Sequence, residues 1–300
     1  MFRLAHVTDP HFRGFAGLGP RALISKQSVG LLNLAVNRLR KHKMGLLERL
    51  RLDVRAQAPD HLALTGDLSN VSLEGEWRAA LAWIDLAGLP SDAVSVIPGN
   101  HDAYIPSVVE ARTFERLFAP YMTSDLPRKT DGTEAGADYP FVHLRDEVAL
   151  VGVTSAVATG DLGAWGTIGA AQLGRLEAVL ASPELRGRTR LVLVHHPPVR
   201  QKGGEERNLR DREALAAVLA RVGAELVLHG HDHKDERAEL PGPGGKSIPV
   251  IGAGSASYSG GPDRRSRWNL YEIESGRITW TTRSHDEASD AFREVRRESL

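Results

Sequence analysis

Apolar residues fall in two rhythms along this chain. Short, mostly apolar runs cover Phe2–Val7, His61–Leu64, Ala93–Val96, Val148–Val153, Arg190–Val194 and Glu225–Leu228, rich in Val, Leu and Ile and closed by turn residues. Such runs predict buried β-strands. Between them, Glu74–Ala87, Val108–Phe118, Gln172–Ala181 and Arg212–Val222 carry apolar residues at helical spacing. That spacing predicts amphipathic helices. Ser72, and the stretch from Asn208 to Asp211, stand where helix start signals belong. The alternation of the two rhythms predicts an α/β fold. Towards the C-terminus the helices drop out. Ile248–Ile251, Trp268–Ile273 and Ile278–Arg283 read as antiparallel strands with Gly turns. There is no internal repeat and no linker long enough to force a second domain. We therefore expect one domain over residues 1–285. Residues 286–300 read as a charged C-terminal tail, a surface helix or a frayed end.

Charge changes this picture in one place. Lys+Arg and Asp+Glu both number 38 in 300 residues, so the chain is formally neutral. A wholly basic nucleic-acid binder is thereby excluded, and no stable nucleic-acid partner is indicated. Yet Arg13–Arg55 holds ten Lys/Arg against two acidic residues, a net +8, which leaves −8 for the remainder. Within it Val29, Leu32, Val36 and Leu39 recur at helical spacing, and Arg38, Arg40, Lys41 and Lys43 cluster at that helix's end. Positive charge suits a helix C-terminus. The absence of cysteine excludes disulfides, thiolate metal sites and a cysteine nucleophile. The N-terminal residues lack the pattern of a signal peptide. No segment approaches the roughly 20 apolar residues of a membrane-spanning helix. We expect a cytoplasmic protein.

The chemistry lies at the strand ends. The first strand runs into Asp9-Pro10-His11, and the second into Gly66-Asp67-Leu68-Ser69-Asn70. The third runs into Gly99-Asn100-His101-Asp102, and later ones into His195-His196 and Gly230-His231-Asp232-His233. In an open α/β sheet the carboxyl ends of the strands share one edge, where ligands bind. Five loops distant in sequence would converge there. Their donors are carboxylate and amide oxygens and imidazole nitrogens. That set suits Mn, Fe, Zn or Co, and is too rich in histidine for calcium. Seven donors are too many for one ion and enough for two sharing a carboxylate. Two ions about 3.5–4 Å apart can clamp the attacking and leaving oxygens of a phosphoryl transfer. P-loop, G-x-G-x-x-G and G-x-S-x-G motifs are absent.

Asp9-x-His11, Gly66-Asp67-x-x-Asn70, Gly99-Asn100-His101-Asp102, His195 and Gly230-His231-x-His233 resemble the five signature blocks of the calcineurin-like metallophosphoesterases. They come in the family's order, and the resemblance spans roughly residues 1 to 255. It implies a four-layer α/β/β/α sandwich and two divalent ions. It implies that Asp9, His11 and His233 hold one ion, that Asn100, His195 and His231 hold the other, and that Asp67 bridges them. By the same resemblance a metal-bridging hydroxide attacks the phosphate. His101 sits at the phosphate and assists the leaving group, and Asp102 orients His101. Asn70 is expected to support the site or face the substrate. Of His195-His196, the family pattern selects His195 as the ligand, leaving His196 to face the substrate or support a ligand.

These readings lead to a metal-dependent phosphoric ester hydrolase, with a diester preferred over a monoester. A within-class alternative is a nucleotide-sugar or lipid-linked pyrophosphatase similar to UDP-2,3-diacylglucosamine hydrolases. One from another class is a non-catalytic metal-binding scaffold. The substrate is expected to be a small-molecule or lipid-linked phosphate ester. Residues 13–55 read as a basic helical insertion packed on the core, as a cap gripping an anionic substrate through Arg13, Arg21 or Lys26, or as a peripheral contact with the inner membrane. Arg200, Lys202 and Arg207 offer a second phosphate contact. His42, His61, His143 and His285 read as ordinary surface residues. His6, alternating with Leu4, reads as packed and hydrogen-bonded. Ser255 and Ser257 read as turn residues.

Overall fold

The computed structural model describes residues 1–14, 41–127, 138–159, 163–200, 204–261 and 264–300. The predicted helix around Val29–Leu39, with Arg21 and Lys26, lies outside these residues, as does Lys202.

Among the described residues, twelve strands form two six-stranded sheets. The elements run β1 (Phe2–Val7), α1 (Met44–Ala56), β2 (His61–Thr65), α2 (Glu74–Ala87), β3 (Val94–Ile97), α3 (Pro106–Glu110), α4 (Thr113–Phe118), β4 (Phe141–Arg145) and β5 (Val148–Gly152). They continue as α5 (Ala170–Leu180), β6 (Thr189–Leu193), α6 (Arg212–Val222), β7 (Leu226–His229), β8 (Glu236–Pro241), β9 (Ser247–Gly252), β10 (Arg267–Glu274), β11 (Arg277–Asp286) and β12 (Ala291–Ser299). One sheet has the order β12-β11-β10-β1-β2-β3 and the other β4-β5-β6-β7-β9-β8. The strands that end in the five motif blocks, β1, β2, β3, β6 and β7, are interior or parallel members of these sheets. Their carboxyl ends therefore meet at one edge of the sandwich.

Side-chain alternation explains the layering. In the second sheet Leu150, Leu191, Leu193, Leu226, Leu228 and Ile251 join the core shared with the first sheet. Their neighbours Ala149, Val151, Val192, Val194, Val227 and Val250 pack instead with Leu173, Leu176, Leu180, Leu215 and Leu219 of α5 and α6. A strand buried on both faces needs such a continuous apolar run, because successive side chains point to opposite faces. On the outer face of the first sheet, α1 buries Leu46, Leu47, Leu50 and Val54, one helical stripe. Asp53 of α1 accepts two hydrogen bonds from the Arg283 guanidinium, both at 2.7 Å, and one from the Trp268 indole at 2.9 Å. The result is the expected four-layer α/β/β/α sandwich. The C-terminal part of the basic segment belongs to one of its helical layers.

Several expectations need correction. Val108–Phe118 is two short helices, broken at Arg112, whose φ is 50°. Strand β9 runs parallel to β7 and antiparallel only to β8. The C-terminal stretch is neither a helix nor frayed: Ala291–Ser299 pairs along β11 as an edge strand. Ser72 does not cap α2; its hydroxyl donates to the His101 carbonyl at 2.8 Å and accepts the Tyr104 N–H at 2.9 Å. The helix entrance is held by the Glu76 carboxylate, which accepts the N–H groups of Val71 and Leu73, both at 3.1 Å. His42, His61, His143 and His285 are all buried, not surface residues.

Two of those histidines form a chain inside the sandwich. His143 Nε2–H donates to the Thr123 carbonyl at 2.9 Å, so its Nδ1 accepts the Ser95 hydroxyl at 2.7 Å. Ser95 Oγ in turn accepts His61 Nε2–H at 2.8 Å. Every proton in this chain is spoken for by neutral rings. Burial lowers His143 to about 4 and His61 well below its usual range. In the unfolded chain both protonate near 6.5. The unfolded state therefore binds more protons below pH 6.5, and stability falls as pH drops towards 4. Metal-free protein should lose about 1.4 kcal/mol of unfolding free energy per pH unit for each such histidine. Urea unfolding at pH 7 and pH 5 measures this; equal stability at both would contradict it.

Candidate metal centre

The loops after the strands bend sharply. Asp9, His11, Asp67, His231 and His233 all have positive φ, between 47° and 75°. Asp and His tolerate this left-handed region better than apolar residues do, yet it is uncommon for any non-glycine residue. Gly66 precedes Asp67 at φ 93°, and a Cβ there would lie 2.6 Å from His195 Nδ1. Only glycine permits that approach. The first two loops also zip together: the N–H groups of Asp9, His11 and Phe12 donate to the carbonyls of Gly66, Asp67 and Leu68.

Eight of the sequence-predicted residues meet in the space this creates. Asp9 Oδ1 lies 3.2 Å from His233 Nε2 and 4.0 Å from His11 Nε2. The two imidazole nitrogens are 3.1 Å apart. On the other side Asn100 Oδ1 lies 3.2 Å from His195 Nε2 and 3.0 Å from His231 Nδ1. Asp67 stands between the two groups, its Oδ2 3.8 Å from His11 Nε2 and its Oδ1 3.4 Å from His195 Nε2. The main-chain N–H of His101 donates to Asp67 Oδ1 at 2.8 Å.

Proton positions show what these atoms can do. His11 Nδ1–H donates to the Ser69 carbonyl at 3.1 Å and His195 Nδ1–H to the Thr65 carbonyl at 2.7 Å. His231 Nε2–H donates to the Arg207 carbonyl at 3.0 Å. A carbonyl partner on one nitrogen leaves a lone pair on the other, the usual device for preparing a metal ligand. Burial holds His231 well below its ordinary value, so its ring is neutral. Its Nδ1 lone pair then faces the Asn100 carbonyl oxygen with no proton between. Asp9 Oδ1 is buried, with His233 Nε2 beside it. Burial pushes Asp67 up to about 8, against the attraction of His195 and with the repulsion of Asp9 and Asp102 adding to it. For Asp9, burial acts upward too, but the charge and hydrogen bond of His233 with His195 and the Thr8 hydroxyl outweigh it, and the carboxyl is held well below its usual range. Converging lone pairs and buried carboxylates are a poor arrangement for an empty protein and a good one for cations. The donor chemistry fits borderline divalent metals. Among the described residues, Asp9, His11, Asp67 and His233 form a set whose donor atoms lie within 4.8 Å of one another and could hold an ion.

Other predicted site residues take different places. Asp102 does not reach the His101 ring. Its carboxylate accepts the N–H groups of Leu68, Ser69 and Gly99, the Ser69 hydroxyl and the Trp77 indole, all at 2.8–3.0 Å. It knots the second and third loops together. The His101 ring is instead oriented by the Asn70 carbonyl, which accepts Nδ1–H at 2.6 Å. Asn70 turns its amide nitrogen into the loops that support the site. Its amide donates to the Phe12 carbonyl at 2.8 Å and to Glu76 Oε1 at 3.0 Å. His196 has both nitrogens engaged, Nδ1 with the Ser155 hydroxyl at 2.7 Å and Nε2 with the Ala164 carbonyl at 3.2 Å. It packs behind His231, ring centroids 4.5 Å apart. Arg200 is exposed, 3.7 Å from Glu205. Arg13 donates to the carbonyl of His42.

Sequence reasoning missed Glu76, which fastens Asn70 and through it His101. Its spacing of six residues from Asn70 and its place in the first turn of α2 were the available signal. His42 was missed as well, a lone histidine at the end of a basic run. It lies against the site, its ring centroid 4.7 Å from that of His11.

Comparison with known proteins bears on the fold and the family. A cAMP/cGMP dual specificity phosphodiesterase of Mycobacterium tuberculosis is 28% identical over 260 residues, 85% of this chain and 68% of that protein. A dimetal phosphatase from Danio rerio shares the fold, with a TM-score of 0.65 at 16% identity over 98% of both chains. Purple acid phosphatase PPD1 from yellow lupin (Lupinus luteus) seeds does so too, with a TM-score of 0.60 at 14% identity over 99% of this chain and 53% of that one. The model of the calcineurin-like phosphoesterase family matches residues 2–235, which takes in every block from Asp9 to His233. The chain therefore belongs to the calcineurin-like phosphoesterases.

Proposed function

We propose that this metallophosphoesterase hydrolyses small-molecule phosphodiesters with two divalent ions. The observation that carries the reading is Asp67, whose two oxygens face two separate donor groups while its Oδ1 also fixes the main chain of His101. Asp9, His11 and His233 would hold one ion, Asn100, His195 and His231 the other, with Asp67 shared. Bound there, the ions would supply Lewis-acid polarisation of the phosphoryl oxygens and a nucleophile at neutral pH.

The chain's own residues handle orientation and the proton. His101 is anchored at its N–H by Asp67, at its carbonyl by the Ser72 hydroxyl, and at Nδ1 by the Asn70 carbonyl. Nε2 would exchange a proton with the leaving oxygen. An alkoxide leaving group gains from such a donor, and this favours a diester over a monoester. Tyr104 stacks beside the ring, 6.0 Å between centroids and 11° from parallel, limiting its tilt. The diesterase activity of the Mycobacterium tuberculosis relative makes cyclic nucleotides the first natural substrates to try.

The test uses bis(p-nitrophenyl) phosphate, p-nitrophenyl phosphate, cAMP and cGMP with Mn²⁺, Fe²⁺ or Zn²⁺ supplied separately. We expect turnover of the diester that disappears on chelation and returns with metal. Faster hydrolysis of the monoester would overturn the diester preference. Metal-independent turnover, or none with any metal, would overturn the proposal itself. In the described residues no helix is long and apolar enough to cross a membrane. Peripheral contact through residues 13–55, and one catalytic domain that takes in β12 beyond residue 285, stand as further proposals. Flotation with anionic liposomes at low salt tests the first.

A further inference from the structure

We infer that His11, His42 and His233 form a three-imidazole cation position, distinct from the Asp9–Asp67 side of the site and sharing two ligands with it. The three side chains each offer a nitrogen, and those atoms lie within 4.8 Å of one another. The ring of His42 is T-shaped to both partners, with centroids 4.7 Å from His11 and 5.5 Å from His233. His42 is only 3% exposed, so it is no solvated surface ring. Its setting is built. Its Nδ1 pairs with the Ser257 hydroxyl at 2.7 Å, which assigns Nε2 to the cation. The backbone on either side is strapped to the loop after β9: Lys43 N–H donates to the Ser257 carbonyl at 2.9 Å and Ser259 N–H to the Lys41 carbonyl at 2.7 Å. Tyr258 closes the far side, its ring 5.2 Å from His42 and 5.9 Å from His233.

The chemistry of this position differs from that of its neighbour. Three neutral imidazoles with an open fourth place suit Zn²⁺ or Co²⁺. Mn²⁺ prefers oxygen donors and belongs on the side of Asp9 and Asp67. Because His11 and His233 serve both, the ion that arrives decides which way they turn. Residues 41–43 would then make the site selective among metals.

The inference rests on the proposed use of His11 and His233, and its test separates the two. Zn²⁺ and Mn²⁺ affinities are measured by calorimetry on the full chain, on His42→Gln and on Ser257→Ala. We expect His42→Gln to weaken one Zn²⁺ step by about tenfold or more, with Mn²⁺ binding changed less than about twofold, and Ser257→Ala to fall between. In the parent protein, Zn²⁺ should shift the His42 Nε2 resonance in histidine nitrogen NMR and Mn²⁺-site chemistry should not require it. Unchanged Zn²⁺ affinity in His42→Gln, equal losses for both metals, or an unmoved His42 resonance would overturn the inference alone. A parent that binds neither metal would overturn both it and the proposed function.

Discussion

Asp67→Ala should leave a protein that holds neither ion stoichiometrically and hydrolyses diesters at least about 10³-fold more slowly. The size follows from several kcal/mol of charge stabilisation supplied by bound metal, at about 1.36 kcal/mol per factor of ten. Both groups of donors lose a member at once, because one Asp67 oxygen faces His11 and the other His195. The variant also frees the His101 N–H, so the third loop loses its tie to the second. Elemental analysis after dialysis reads the first effect directly. Two tightly held ions in Asp67→Ala would show that the carboxylate is not shared. Asp67→Asn is the companion variant. It preserves the size of the side chain and removes the charge, so it reports on electrostatics with the loop packing disturbed less.

His101→Ala should behave in the opposite way. We expect both ions to remain and the rate to fall by roughly 10²- to 10⁴-fold, the range of a single general acid. The fall should be steep for poor leaving groups and shallow for p-nitrophenolate, which needs little protonation. Comparing bis(p-nitrophenyl) phosphate with an alkyl diester measures that contrast. Equal losses on both would mean that His101 stabilises charge on the phosphate without donating a proton. Full activity on both would remove it from the mechanism. Asp102→Ala offers a useful control. Its carboxylate accepts four hydrogen bonds from two loops and one from Trp77 of α2, and none from the His101 ring, so its loss is a loss of loop order.

The strands that carry the donors were legible because they are buried on both faces. Val192 and Leu193, or Val227 and Leu228, face different cores, so both must be apolar and the run is continuous. Edge strands carry no such demand. In β12 only Phe292 is buried, and Arg293, Glu294, Arg296, Arg297 and Glu298 are charges on an outer strand. Its composition is that of a tail, and charges are a common way to blunt an edge. Strand β8 is half exposed for the same reason. At the site, motif spacing located the converging blocks but not the hydrogen bonds among them. Asp102 follows His101 directly and yet points into the loops, since the neighbouring amides of Leu68, Ser69 and Gly99 outcompete an imidazole for a buried carboxylate. His42 could be found only in three dimensions. Its partners are about 30, 190 and 215 residues away in the chain, at His11, His233 and Ser257.

The left-handed backbone of Asp9, His11, Asp67, His231 and His233 bears on how this sequence can change over generations. Each such residue costs the fold on the order of 1 kcal/mol. Natural selection for hydrolysis must hold these side chains where a glycine would sit more easily. If that selection relaxed, drift towards glycine at these five positions would be rewarded by a firmer fold. Decay of activity in a descendant would then begin at the backbone of the metal loops, while the sandwich beneath them endured.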